Sequence, residues 1–191
     1  MSTRWFQEWS EAERTAYATR FVRLAESGQD IDGEARFVDA LAGRGSRILD
    51  AGCGTGRVAA ALAARGHHPL GVDADASLVE AGREQYPGLA LEHRDLLDLS
   101  EDDGPFEVVV AAGNVLVYVE PGTEAAVLRA MASVLSPGGA AVIGFATDRD
   151  YTVADLDRDA EAVGWRLVHR FATWQLDPWT DDADWAVSVF R

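Results

Sequence analysis

Apolar residues fall in two rhythms that alternate along the chain. Short apolar runs at 46–51, 68–73, 89–92, 106–112 and 140–146 read as buried strands. Between them, segments 56–65, 77–86 and 122–135 carry apolar residues at helical spacing. Strands that alternate with helices require a parallel sheet covered on both faces, an α/β class. Upstream, Ser10-Glu11-Ala12-Glu13 is a capping-box pattern, continued at helical spacing by Ala16, Arg20, Phe21 and Leu24. A short helix over Gly33–Leu41 leads into the first strand. A second capping box, Ser77 to Glu80, sets the start of the second core helix. Pro121 opens the third, and the turn Ser136-Pro137-Gly138-Gly139 stops it. After residue 146 the character changes to a helix at 153–163 and two strand-like runs, Arg166–Trp174 and Asp184–Phe190. The chain therefore divides into a helical cap (1–44), a core (46–146) and a C-terminal helix with two strands (147–191). Together these make one domain, 1–191, with no internal repeat or interdomain linker.

Composition narrows the chemistry. At 191 residues the chain can bury roughly 70% of its unfolded surface. A hydrophobic content of 48% with 26% charge describes an ordinary globule. The net charge of -15 argues against nucleic acid as a partner, because phosphate binding needs clustered basic groups. Every basic residue other than histidine is Arg. Cys53 is the only cysteine, which excludes an intrachain disulfide. The stretch Met1–Trp9 carries charges and aromatics instead of a signal-peptide core. The longest apolar stretch, Val108–Val119, is interrupted by Gly113 and Asn114 and is too short to span a bilayer. A cytoplasmic protein with no membrane association is expected. The acidic clusters at 98–103, 155–161 and 181–184 read as solvated faces.

The most informative chemistry sits at the end of the first strand run, Arg47-Ile-Leu-Asp-Ala-Gly-Cys-Gly-Thr-Gly56. Gly52, Gly54 and Gly56 alternate in a strand-to-helix loop that lets backbone approach a bound nucleotide-like ligand. A dinucleotide fingerprint is spaced G-x-G-x-x-G, and here Arg57 stands where its last glycine would fall. Asp50, just before the loop, would repel a pyrophosphate and suits a ligand that carries positive charge. This segment resembles motif I of the class I S-adenosylmethionine (SAM) dependent methyltransferases. The order of later elements agrees over roughly Ser46 to Phe190.

The resemblance implies a Rossmann-like, doubly wound, mostly parallel sheet that ends in an antiparallel hairpin, with SAM as cofactor and S-adenosylhomocysteine (SAH) as product. It assigns Asp50 to the ammonium end of SAM, a role compatible with capping the following helix. It also places the loop of Ala51, Gly52, Cys53, Gly54 and Gly56 beneath the methionine part. Asp73, at the tip of the second strand, suits the ribose hydroxyls, a feature shared with nicotinamide enzymes. Ala74 and Asp75 are expected to line the same crevice. In Glu92-His-Arg-Asp95-Leu96, Asp95 and the Leu96 backbone fit the adenine position, with Asp98 as a competitor. Asn114 follows the fourth strand, where the family keeps its motif IV. The sequence Asn-Val-Leu-Val there departs from the Asn-Pro-Pro-Tyr of many amine methyltransferases, which weakens an exocyclic-amine acceptor. Asn114 could contact the methionine part or the substrate, or serve as a turn residue.

The expected partner is a small-molecule methyl acceptor. All six Trp residues lie outside the central segment, and Trp9, Tyr17, Tyr118, Tyr151 and Trp174 are candidates for an aromatic pocket wall. Among the imidazoles, His67 and His68 precede the second strand, on the wrong edge. His93 could approach the adenine side and His169 the acceptor side. Displacement at a sulfonium methyl needs positioning more than acid–base groups, so no catalytic base is assigned. No metal-ligand spacing is present. Two alternatives stand beside this reading. One is a non-catalytic SAM- or SAH-binding protein. The other is an NAD(P)-dependent oxidoreductase, which Arg57 and Asp50 disfavour.

Overall fold

The computed structural model describes residues 3–191. One seven-stranded sheet runs in the order β3-β2-β1-β4-β5-β7-β6. Its strands are β1 (Arg47–Ala51), β2 (His68–Asp73), β3 (Leu91–His93), β4 (Phe106–Ala111), β5 (Leu135–Ala146), β6 (Leu167–Phe171) and β7 (Trp185–Phe190). The first five are parallel, and β7 lies antiparallel between β5 and β6. The expected antiparallel hairpin is therefore present, and it sits with its second strand inward.

Eight α-helices accompany the sheet among the described residues: α1 (Arg4–Glu8), α2 (Glu11–Glu26), α3 (Gly33–Leu41), α4 (Arg57–Ala64), α5 (Ala76–Gln85), α6 (Val115–Tyr118), α7 (Glu124–Ser133) and α8 (Val153–Ala162). Successive strand residues point to opposite faces. Ile48, Val108, Val110 and Val142 pack with Phe37 and Val38 of α3 and with Val58 and Leu62 of α4. Leu49, Val109, Ala141 and Ile143 pack on the other face with Leu128 and Met131 of α7 and Leu156 of α8. Burial on both faces explains why these strands read as continuous apolar runs.

The structure departs from the sequence reading at several ends. The capping box at Ser10 forms, with Glu13 N–H donating to Ser10 Oγ at 3.3 Å and Ser10 N–H to Glu13 Oε2 at 2.8 Å. The one expected at Ser77 does not. Asp75 caps α5 instead, accepting from Ser77 N–H at 2.9 Å. An aspartate two residues earlier satisfies the same orphan donors, so the helix starts sooner. Helix α7 begins at Glu124 behind an N-cap Thr123, not directly after Pro121. The Ser136–Gly139 turn lies within β5 as an irregularity, where the pairing with β4 breaks between Phe106 and Val108. The short helices α1 and α6 were not anticipated, since neither is long enough to show a helical period.

Candidate functional site

At β1 and β4 the chain turns to opposite sides of the sheet. Open parallel sheets hold ligands beyond the carboxyl ends of strands at such a switch point. The loops after β1, β2, β3 and β4 surround a cavity of about 440 Å3 there, and α1 and α2 cover it. That volume lies in the range of about 300–1,000 Å3 typical of small-molecule sites.

The floor is the loop after β1. Gly52 and Gly54 have φ of 72° and 56°, the left-handed region that favours glycine. A Cβ on Gly52 would lie 2.5 Å from Val115 Cγ2, so α6 sits directly on the loop. The Gly52 and Cys53 N–H groups both donate to Val72 O, at 2.8 and 3.1 Å, which fixes the loop to β2.

Three carboxylates stand at successive strand ends. Asp50 is only 1% exposed, and its Oδ2 accepts from Ala59 N–H at 3.0 Å, inside the first turns of α4. Burial pushes its pKa up to about 7, against the opposing pull of the Ala59 N–H and the Arg57 charge. Asp73 accepts from Gly54 N–H at 2.7 Å and Asp75 N–H at 2.8 Å, one bond on each oxygen. Burial raises its pKa despite these two bonds. Each Asp73 oxygen keeps a further lone pair. Asp95 caps a 3-10 turn, with Leu97 N–H donating to its Oδ1 at 3.0 Å. Asn114, at φ 57°, accepts from Ala146 N–H at 2.8 Å and so joins the loops after β4 and β5.

The roof is aromatic. Trp5 and Trp9 stack at 4.6 Å between centroids, and Tyr17 and Tyr118 meet them edge-on at 5.3 to 6.1 Å. Arg57 pairs with Glu34 at 2.6 Å and lies 4.2 Å from the Phe21 ring centroid. Arg20 also lines the cavity. Asp75, 3% exposed, accepts from Trp5 Nε1–H at 2.8 Å and forms an ion pair with Arg14, whose Nε stands 3.0 Å away. Burial alone would raise its pKa. The hydrogen bonds from Ser77 and Trp5 and the Arg14 charge outweigh this and leave it lowered.

Of the residues expected from the sequence, Asp50, Gly52, Cys53, Gly54, Asp73, Ala74, Asp95, Leu96 and Asn114 line the cavity. Ala51 and Gly56 do not. Ala51 is fully buried in the core. Gly56, with φ 77°, starts α4, and a Cβ there would lie 2.8 Å from Leu91 Cδ2. Its bareness serves helix–strand packing. Gly71 and Gly82 press on the same Leu91 side chain, where their Cβ atoms would come within 2.6 and 2.8 Å.

Among the aromatic candidates, Trp9, Tyr17 and Tyr118 line the cavity, but Tyr151 and Trp174 lie elsewhere. Tyr151 is 6% exposed and donates to Asp159 Oδ2 at 3.1 Å. Trp174 packs edge-on against Phe37, beneath the other sheet face. Asp75 turns away from the crevice toward the roof helices. His93 lies at 3.2 Å from Ala74 O, and His169 lines a separate groove beside β6, so neither reaches the cavity. His67 pairs with Asp39 at 2.9 Å, before β2. Trp5, Arg20, Phe21, Glu34 and Arg149 were missed as cavity residues. The spacing of Tyr17, Arg20 and Phe21 on α2 was the available signal, since it puts all three on one helix face.

Comparison with known proteins agrees with this architecture. A family described as a methyltransferase domain matches residues 48–139. A TehB-like SAM-dependent methyltransferase from Corynebacterium glutamicum superposes with a TM-score of 0.89 at 36% identity, covering 95% of this chain and 98% of that one. A demethylmenaquinone methyltransferase of Clavibacter sepedonicus is 38% identical over 102 residues, 52% of this chain and 40% of that protein. A ubiquinone biosynthesis O-methyltransferase of Xylella fastidiosa is 32% identical over 102 residues, 50% of this chain and 39% of that protein. The match thus spans about two fifths of the length of these curated relatives. With its strand order and glycine loop, the chain belongs to the class I SAM-dependent methyltransferases.

Proposed function

We propose that the protein transfers a methyl group from SAM to a small-molecule acceptor held beneath the α1–α2 roof. The observation that carries this reading is the convergence of the glycine loop, Asp50, Asp73 and Asp95 on one roofed cavity. The residues suit the donor chemically. Gly52 and Gly54 line the cavity with no side chains of their own, and Val115 packs over Gly52. Asp73 is held by two backbone N–H groups with acceptor capacity left for a vicinal diol. We assign Asp50 to the ammonium group, Asp95 and Leu96 to the adenine, and Asn114 to the methionine portion. Arg20 and Tyr17, on α2, supply the cation and hydroxyl that an amino-acid carboxylate requires.

When bound, SAM supplies an electrophilic methyl group on a positively charged sulfur. The chain's contribution is position and dryness. The pinned carboxylates fix one reactant, and the Trp5, Trp9 and Tyr118 rings wall off solvent on the acceptor side. Holding two reactants in attack geometry is worth roughly 7–11 kcal/mol, so no proton-transfer residue is invoked. The names of the curated relatives, together with this aromatic wall, support a planar ring-bearing acceptor.

Calorimetry with SAM, SAH and NAD tests the donor. Micromolar binding of SAM and SAH without NAD is expected, and binding of NAD alone would refute the reading. Turnover is then followed as SAH release with a panel of quinols, phenols and amines. SAH binding without turnover on any of them would favour a non-catalytic role.

A further inference from the structure

Helices α1 and α2 contain no buried residue, so the hydrophobic core does not hold them down. Elements with few buried contacts open at low free energy. Yet their residues Trp5, Trp9, Tyr17, Arg20 and Phe21 wall the cavity, so the position of this roof sets how far a bound ligand is enclosed. Besides the aromatic cluster, the roof meets the body at the Asp75 carboxylate, where Arg57 lies over Phe21, and at the Arg4–Asp150 pair.

Asp75 joins three helices. Its Oδ1 accepts from Ser77 N–H at 2.9 Å and Ser77 Oγ–H at 2.5 Å, at the start of α5. Its Oδ2 accepts from Trp5 Nε1–H of α1 at 2.8 Å and faces Arg14 Nε of α2 at 3.0 Å. Its own N–H donates to Asp73 Oδ1 at 2.8 Å. With three hydrogen bonds on its two oxygens and the Arg14 guanidinium beside it, the carboxylate keeps its full set of partners only while the roof is shut. Lifting the roof removes the Trp5 and Arg14 partners from a group built into the protein interior, which is unfavourable. Two residues away, Asp73 forms part of the donor end of the cavity.

We infer that Asp75 is a positioning residue that latches the N-terminal roof to the Asp73 turn, so that occupancy of the donor end and closure of the roof reinforce each other. A ligand that immobilises Asp73 immobilises the turn from which Asp75 grips Trp5 and Arg14. By reciprocity, a roof that cannot latch weakens the ligand by the same factor. This inference rests on the reading of the cavity as the SAM site.

The test is hydrogen exchange across residues 4–26, with and without SAH, in the wild-type protein, Trp5→Phe and Asp75→Asn. In the wild type, SAH should slow exchange of α1 and α2 at least about tenfold. Trp5→Phe keeps an aromatic ring but loses the N–H. It should reduce that protection, and SAH affinity with it, by about tenfold. Asp75→Asn should do the same. If Asp75→Asn fails to fold, Trp5→Phe decides alone. SAH binding to wild type with no added protection of the roof would overturn the latch and leave the donor site standing. Equal protection in wild type and Trp5→Phe would do so as well. Failure of SAH to bind the wild type would overturn both.

Discussion

Asp50→Asn separates what the site requires from what the fold prefers. The Asp50 carboxyl is raised from 3.8 to about 7 in the folded chain, first by burial. Between these values the native state holds a proton that the unfolded state has released. Stability from this group is therefore present at low pH and lost as pH rises through about 4 to 7. Three pKa units correspond to a penalty of about 4 kcal/mol once Asp50 is ionised. Some 3 kcal/mol of this falls between about pH 5 and about pH 8. Asn retains an oxygen for the Ala59 N–H and carries no charge. Urea unfolding of both proteins at the two pH values isolates the effect, because the other acids cancel in the difference. Wild type should lose about 3 kcal/mol more than Asp50→Asn over that interval. SAH titrations should move the opposite way. Wild-type affinity should rise as Asp50 ionises near neutral pH, whereas the variant should bind at least tenfold more weakly with no such rise. Parallel stability profiles, or unchanged SAH affinity, would refute an ionisable Asp50 facing the ligand's ammonium group.

Other substitutions probe neighbouring parts of the site. Asp73→Ala should weaken SAH at least about tenfold by calorimetry, and the loss of the Gly54 and Asp75 N–H partners should lower Tm as well. Gly52→Ala places a Cβ 2.5 Å from Val115 Cγ2 at φ 72°, and should cost about 1–3 kcal/mol in denaturant unfolding together with measurable SAH binding. Adding Val115→Ala should restore part of the stability, since the clash is relieved and the left-handed backbone is not. Gly82→Ala meets the Thr55 carbonyl oxygen at 2.5 Å and should destabilise by about 1–3 kcal/mol despite the better helix propensity of Ala. A neutral or stabilising result there would show that α5 can shift away from the loop.

The alternation of buried strands with amphipathic helices made the parallel core legible, because burial on both faces of β1, β4 and β5 leaves continuous apolar runs. The carboxylates that line the cavity were legible for a related reason. Asp50, Asp73 and Asp95 sit at strand ends, and strand ends can be found by counting. The roof was not, since Trp5 and Arg20 reach the cavity only through the packing of α1 and α2 over the sheet edge. Tyr151 and Trp174 were misjudged because an aromatic near a chain end can face either side of a sheet. Gly56 looked like a ligand-facing residue, when its neighbour is a leucine from β3.

That leucine has a wider consequence. Leu91 occupies part of the space that side chains at Gly56, Gly71 and Gly82 would need, so one methyl-tipped residue contributes to bareness at three positions on three separate elements. Mutational scans that change one site at a time should score all three as intolerant. In a Leu91→Ala background, tolerance at Gly71 should return first, because its other close neighbour is the Cys53 side chain rather than backbone. Sequence drift at these four sites is therefore epistatic.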